Sequence, residues 1–137
     1  MLRVLIVDDE PDLANSLCLG LRARGHQTWA AYDGAGALAI FDGHADDIDL
    51  VIADYAMPDL DGISLLKALK QEKDALPVII ITANRTKALI RSAAAHGCLS
   101  VLAKPFGIER IIQEIERIDT YSWRAHGSIK RQTKSDG

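Results

Sequence analysis

Four apolar runs in this chain each end in polar residues that core packing does not require. Residues 2–7 (LRVLIV) lead into Asp8, Asp9 and Glu10. Residues 50–53 (LVIA) lead into Asp54, residues 78–81 (VIII) into Thr82, and residues 98–103 (CLSVLA) into Lys104 and Pro105. Short apolar runs rich in Val and Ile, bounded by polar residues, have the pattern of strands buried in a parallel sheet. In an open parallel sheet every carboxyl end lies at one edge, and the crevice there is where ligands bind. The carboxylates of Asp8, Asp9 and Asp54, a hydroxyl and an ammonium, scattered from Asp8 to Lys104, then converge in one small pocket. Such a set suits a divalent cation and a phosphoryl group.

Between these runs the pattern changes to helix. Pro11 stands where a first helical turn accepts it, and Leu13, Leu17 and Leu21 follow at intervals of four with Ala14 and Cys18 beside them, up to Gly25. Residues 27–32 read as a short, weak second strand with Trp29 its one large side chain, followed by an Asp33-Gly34 turn. A second helix over 35–41 is expected to close at Gly43. A third follows Asp61-Gly62 with Ile63, Leu66 and Leu69. Pro77 opens the fourth strand, and an Ala-rich helix over about 87–95 ends at His96-Gly97. A last helix carries Ile108, Ile111, Ile112, Ile115 and Ile118 toward the sheet. Five β-α units with right-handed crossovers give a (βα)5 three-layer sandwich, helices on both faces of the sheet. Strand order 2-1-3-4-5 is favoured because the most apolar strands, the first, third and fourth, then lie inside.

The chain has 137 residues, 48% of them hydrophobic, enough for one good core. Nineteen acidic and sixteen basic residues give a net charge of -3, which lends no support to bulk nucleic-acid binding. Cys18 and Cys98 lack metal-ligand spacing and read as small apolar residues in a reducing compartment. No apolar run approaches the length of a membrane span and no signal peptide is evident, so a cytoplasmic location is expected.

Adjacent carboxylates such as Asp8 and Asp9 repel unless something positive lies beside them, and a bound cation is the direct remedy. The plainer alternative is an acidic cap on the helix that starts at Pro11. Asp54 favours the cation, since it ends an apolar strand at the same sheet edge and is costly to bury without a partner. Mg2+ takes oxygen ligands: Asp9 and Asp54 can bind it directly, the backbone carbonyl of Ala56 can add a third ligand, and Asp8 can act through a water. Zinc is disfavoured by the absence of nearby Cys or His. Asp54 is also the better nucleophile, able to carry a phosphoryl group as an acyl phosphate. Thr82 and Lys104 then serve the phosphoryl oxygens through a hydrogen bond and a fixed positive charge. Taken singly, each has an ordinary reading, a strand-capping threonine and a solvent-facing lysine.

In the motifs VLIVDDEP (4–11), LVIADYAMPDLDG (50–62), IIITA (79–83) and LAKPF (102–106), the chain resembles the receiver domain of bacterial two-component response regulators, of the chemotaxis-regulator kind. The resemblance covers residues 2 to about 118. It implies a flavodoxin-like fold, and such a regulator is itself a standard example of strand order 2-1-3-4-5, so the order is no independent expectation. It implies that Asp54 accepts phosphate from a sensor histidine kinase or histidine phosphotransfer protein, and that residues matching Asp8 and Asp9 hold Mg2+. It also implies that Thr82 contacts the phosphoryl group and moves on activation, that Lys104 pairs with its oxygens, and that the Lys104-Pro105 bond is cis. Ala56 and Asn84 occupy the positions that tune phosphate lifetime. Self-catalysed phosphorylation and dephosphorylation are implied, with no separate enzymatic turnover.

One position departs from the family pattern. Three residues before the lysine, where Tyr or Phe is usual, stands Val101. Valine is stiff and short and cannot reproduce a large rotamer switch, so the Thr82 loop and the Ala-rich fourth helix are left to carry any two-state change. The alternative is that Val101 is simply a β-former on an edge strand.

Residues 1–118 are thus expected to form a receiver domain and 119–137 a polar, basic tail or linker with Tyr121, Trp123, Arg124, Lys130, Arg131 and Lys134. No DNA-binding helix pair adjoins that stretch. If the chain is part of a longer protein, an output or kinase domain is missing; a homodimer through the fourth helix, fifth strand and fifth helix is a further partner reading. Two other classes compete with the phosphoryl-accepting switch. An aspartyl-phosphate hydrolase needs a cap insertion that the short loops do not supply. A phosphate-independent interaction module with a receiver fold has only Val101 in its favour.

Overall fold

The computed structural model describes residues 1–105 and 107–120, and these divide into two compact units, Leu2–Pro105 and Met1 with residues 107–120. The first unit holds β1 (Arg3–Val7), α1 (Pro11–Ala23), β2 (Gln27–Ala31), α2 (Gly34–His44), β3 (Leu50–Asp54), α3 (Gly62–Glu72), β4 (Val78–Thr82), α4 (Lys87–Ala95) and β5 (Ser100–Ala103). The second unit holds α5 (Ile108–Thr120). All five strands are parallel in the order β2-β1-β3-β4-β5, so the (βα)5 class and the strand order are those read from the sequence.

Every residue of the two central strands β3 and β4 is buried. Burying an aliphatic side chain of this size is worth about 1.5–3 kcal/mol, and these strands bring Leu50, Val51, Ile52, Val78, Ile79, Ile80 and Ile81. Val51, Val78 and Ile80 share one core cluster with Leu65, Leu66 and Leu69 of α3, Phe41 of α2 and Ala93 of α4. In the edge strand β2 only Ala31 is buried, Gln27 is exposed and the three residues between are half-buried, in keeping with its weak apolar pattern. Register is set by pairs such as Val7↔Ala53 and Asp54↔Ile81, which bring Asp8 and Asp54 to the same edge.

Helix starts follow the local chemistry. Pro11 is the first residue of α1, Asp33 caps α2 by accepting from the Gly36 N–H, and Asp61 caps α3 by accepting from the Ser64 N–H. Gly25 ends the α1 turn at φ 90, the left-handed conformation that glycine adopts without strain. Several boundaries differ from the sequence reading, three of them for a local reason. Gly43 does not close α2, which continues to His44; a mid-helix glycine costs about 1 kcal/mol, less than the burial of Ala37 and Phe41 returns. β5 begins at Ser100 rather than Cys98, because Cys98 and Leu99 still belong to the turn, although the Leu99 N–H already bonds the Val78 carbonyl. The last helix runs through Asp119 to Thr120, since an apolar stripe can end a turn before its helix does. Of the expected tail over 119–137, residues 121–137, with Tyr121, Trp123, Arg124, Lys130, Arg131 and Lys134, lie outside the described residues.

α5 buries Ile111, Ile112, Ile115 and Ile118 along one stripe. Glu114 is buried beside them and accepts from Arg110 at 2.9 Å and from Arg117. Burial pushes its carboxyl up, but the two guanidinium hydrogen bonds outweigh that and hold it below the usual glutamate range. Among the described residues no helix is long and apolar enough to cross a membrane. Cys18 is buried, Cys98 half-buried, and both are free thiols.

Candidate functional site

The carboxyl edge of the sheet carries an acidic pocket. Asp8 follows β1 directly and is 1% exposed; Asp54 is the last residue of β3 and is 5% exposed; Asp9 is exposed. One oxygen from each of the three carboxylates lies within 4.8 Å of the others. Asp8 is fixed by its Oδ1, which accepts the Glu10 N–H at 2.9 Å, and by its own N–H, which donates to the Ala31 carbonyl at 3.0 Å. The strand end at Asp54 is secured by the Tyr55 N–H donating to the Ile81 carbonyl at 2.8 Å.

Lys104 enters this pocket from the end of β5. Its Nζ lies 3.4 Å from Asp54 Oδ1, 3.5 Å from Asp8 Oδ2 and 3.4 Å from Glu10 Oε1. Its own N–H donates to the Thr82 carbonyl at 2.8 Å, and the peptide bond to Pro105 is cis. Burial alone depresses an ammonium, yet the charges of Asp54 and Asp8 more than offset it, so Lys104 is held above its ordinary range and stays protonated.

The carboxylates shift the other way. Burial pushes Asp54 up, the charge of Asp8 pushes it further, and Lys104 offsets only part. Asp8 is likewise raised by burial, against the Glu10 N–H and Lys104. One lysine therefore does not neutralise the cluster. The donor set is entirely oxygen, clustered, partly buried and short of positive charge, which fits a hard divalent cation and disfavours a softer metal.

Thr82 ends β4 and is 4% exposed. Its Oγ1 accepts the Asn84 N–H at 3.1 Å and donates to the Asn84 carbonyl at 3.4 Å. Val101 is buried and belongs to the core cluster, opposite Ile80 in the sheet register, so it is a packed residue on an edge strand. A cleft of about 700 Å³ opens beside the pocket, walled by Ala56, Thr82, Asn84 and the facing sides of α3 and α4.

Several contributors carry no role in the sequence reading. Glu10 stands in the acidic motif but its contact with Lys104 depends on the loop path. Asp59, in the loop after Asp54, accepts the N–H groups of Gly34 at 3.1 Å and Ala35 at 3.0 Å, which hold its carboxyl below the usual range and tie that loop to α2. Gly62 lets α3 start against the end of β3: a Cβ there would stand 2.9 Å from the Asp54 carbonyl oxygen and 2.9 Å from Tyr55 Cα. The Pro-Asp-Leu-Asp-Gly run signals a turn and a cap, but spacing alone does not reveal what its carboxylates reach.

The sequence profile of the response regulator receiver domain matches residues 4–116. A probable transcriptional regulatory protein, TcrX of Mycobacterium tuberculosis, is 32% identical over 115 residues, covering 84% of this chain and 48% of that protein. The chain thus spans about half the length of that curated relative. Among solved structures, the chemotaxis protein CheY4 of Vibrio cholerae superposes with a TM-score of 0.81 at 27% identity, covering 86% of this chain and 98% of that one. A complex of CheX and CheY with BeF3 and Mg2+ from Borrelia burgdorferi gives 0.82 at 26% identity, over 88% and 90% of the two chains. With a profile match across most of its length and the acidic pocket in place at the sheet edge, the chain belongs to the response regulator receiver domain family.

Proposed function

We propose that this chain is a phosphoryl-accepting switch of a two-component system, in which Asp54 takes a phosphoryl group from a phosphohistidine on a sensor kinase or histidine phosphotransfer protein. The observation that carries the reading is the pocket in which Asp8, Asp9 and Asp54 cluster around one another with the Lys104 ammonium 3.4 Å from Asp54.

The geometry supports a role for each residue within this reading. An oxygen of Asp54 attacks phosphorus as the donor's P–N bond breaks; the imidazole leaves with the bonding pair and takes up a proton, and Asp54 becomes an acyl phosphate. Burial strips the Asp54 carboxylate of solvent and leaves it more basic than an exposed aspartate. Lys104 keeps its charge in this setting and follows the phosphoryl oxygens. Thr82 supplies a hydroxyl from the adjacent strand end. Asp9, Asp54 and the Ala56 carbonyl would hold a Mg2+ ion, with Asp8 acting through a water, and the ion would supply charge neutralisation for the phosphoryl oxygens. Ala56 brings no polar side chain to that oxygen cluster and Asn84 brings one short amide, so those two positions set how easily water reaches the acyl phosphate.

Incubation with acetyl phosphate and Mg2+ tests this reading. The intact mass gains one phosphoryl group, labile to acid and base, and Asp54→Asn abolishes the gain. No adduct on the unaltered protein, as a phosphate-independent interaction module requires, overturns the proposal.

A further inference from the structure

Arg85 takes no part in the site described above. It lies between Thr82 and Thr86, the residue that caps α4, and its Nε donates to the Val101 carbonyl at 2.8 Å. The loop between β4 and α4 is thereby tied to β5 at the residue where an aromatic side chain is expected and valine stands instead. The Val101 side chain is buried in the core cluster and, being β-branched, is held near one rotamer, so it has no second pose to offer a switch. Its carbonyl, by contrast, holds a charged donor from the loop between β4 and α4.

Thr82 defines what that loop must do. Its hydroxyl proton is directed to the Asn84 carbonyl at 3.4 Å, and the same oxygen accepts the Asn84 N–H at 3.1 Å. A hydroxyl has one proton to donate, so donation to Asn84 and donation to a phosphoryl oxygen on Asp54 exclude each other. Turning Oγ1 toward Asp54 would free both Asn84 backbone groups that it now holds, the N–H and the carbonyl, and Arg85 follows Asn84 directly. The cleft of about 700 Å³ includes Ala83, Asn84 and Thr86 in its wall, leaving space on one side of the loop.

We propose that Arg85 is a positioning residue for Thr82: its hydrogen bond to the Val101 carbonyl holds the loop with the Thr82 hydroxyl on Asn84, and the bond is released when that hydroxyl turns to the phosphoryl group. The inference rests on the phosphoryl-accepting reading and adds the residue that sets its resting state. A ligand shifts a two-state element only through contacts that differ between the states, and here the differing contact is a guanidinium-to-backbone bond, which any side chain at 101 leaves intact.

Arginine side-chain amide spectra of the full chain, free and with beryllofluoride plus Mg2+, read the bond directly. The Arg85 Nε–H is slow to exchange with solvent in the free protein and fast in the beryllofluoride form. Arg85→Ala, which lacks the bond that resists the change, binds beryllofluoride roughly three- to tenfold more tightly, a modest effect for a charge-assisted bond on an exposed side chain. Equal protection of the Nε–H in both forms overturns the proposal. So does an Arg85→Ala protein that melts lower while binding beryllofluoride no more tightly, because a merely structural bond behaves that way. If the unaltered protein neither binds beryllofluoride nor takes phosphate from acetyl phosphate, the underlying reading fails and this inference falls with it.

Discussion

Alanine in place of Gly62 sets two effects of opposite sign against each other. Gly62 is the first residue of α3, and removing glycine from a helix ordinarily stabilises it by about 0.5–1 kcal/mol through the unfolded chain. Here the new Cβ meets the Asp54 carbonyl oxygen and Tyr55 Cα at 2.9 Å each, and both are backbone atoms. They cannot yield like the tip of a side chain, and the Gly62 N–H already holds the Tyr55 carbonyl at 2.7 Å. Overpacking of this kind costs about 1–3 kcal/mol, so Gly62→Ala is expected to destabilise by roughly 1–2 kcal/mol net. Gly43 provides the contrast. It lies inside α2, exposed, and a methyl group there would meet nothing within 4 Å, so Gly43→Ala is expected to stabilise by about 0.5–1 kcal/mol. The two variants then differ by roughly 2–3 kcal/mol, a separation of about 6–15 °C in Tm for a chain of this size. Thermal unfolding followed by far-ultraviolet circular dichroism measures it. Cation affinity should fall only in Gly62→Ala, where the displaced backbone is that of Asp54. A Gly62→Ala protein melting at or above the unaltered one would refute the steric argument.

Lys104→Met removes the ammonium that contacts Asp8 and Asp54, so the Asp54 carboxyl should rise further and acetyl phosphate labelling should slow by about 10²-fold, measured by mass against time. Burial holds Asp8 and Asp54 above the ordinary aspartate range, so protons compete with Mg2+ beyond the usual carboxylate window. Calorimetric Mg2+ affinity should therefore rise with pH until both raised values are passed and then level off; an affinity flat through that window contradicts the assignment. Glu114 is held below the usual glutamate range, so its stabilisation is complete above that range and is lost as pH falls through the lowered value. Glu114→Gln should flatten the acid side of the stability curve, read from urea unfolding at several pH values.

How far the sequence carried depended on whether a signal was local. The uninterrupted apolar runs at 50–53 and 78–81 required strands buried on both faces, and both are fully buried. Because a parallel sheet aligns its carboxyl ends, that alone brought Asp8, Asp54, Thr82 and Lys104 to one edge. Gly43 misled because a glycine is a stop signal only where packing does not continue the helix; Ala37 and Phe41 continue it. Contacts that join distant segments through loops left no periodic trace. Asp59 reaching the α2 amides and Arg85 reaching the Val101 carbonyl depend on loop paths that residue spacing does not encode. Val101 was legible as a departure from its family's pattern, but its burial in the core and the charged donor on its carbonyl were not.

The central claim is that Asp54 is the phosphoryl acceptor, and trapping the acyl phosphate tests it most directly. The chain is treated with acetyl phosphate and Mg2+, reduced with borohydride, which converts an aspartyl phosphate to homoserine, and digested for peptide mass spectrometry. Homoserine at residue 54, dependent on Mg2+ and absent without acetyl phosphate, is the predicted result. Homoserine at Asp8 or Asp9 instead, or none at any aspartate, would contradict it.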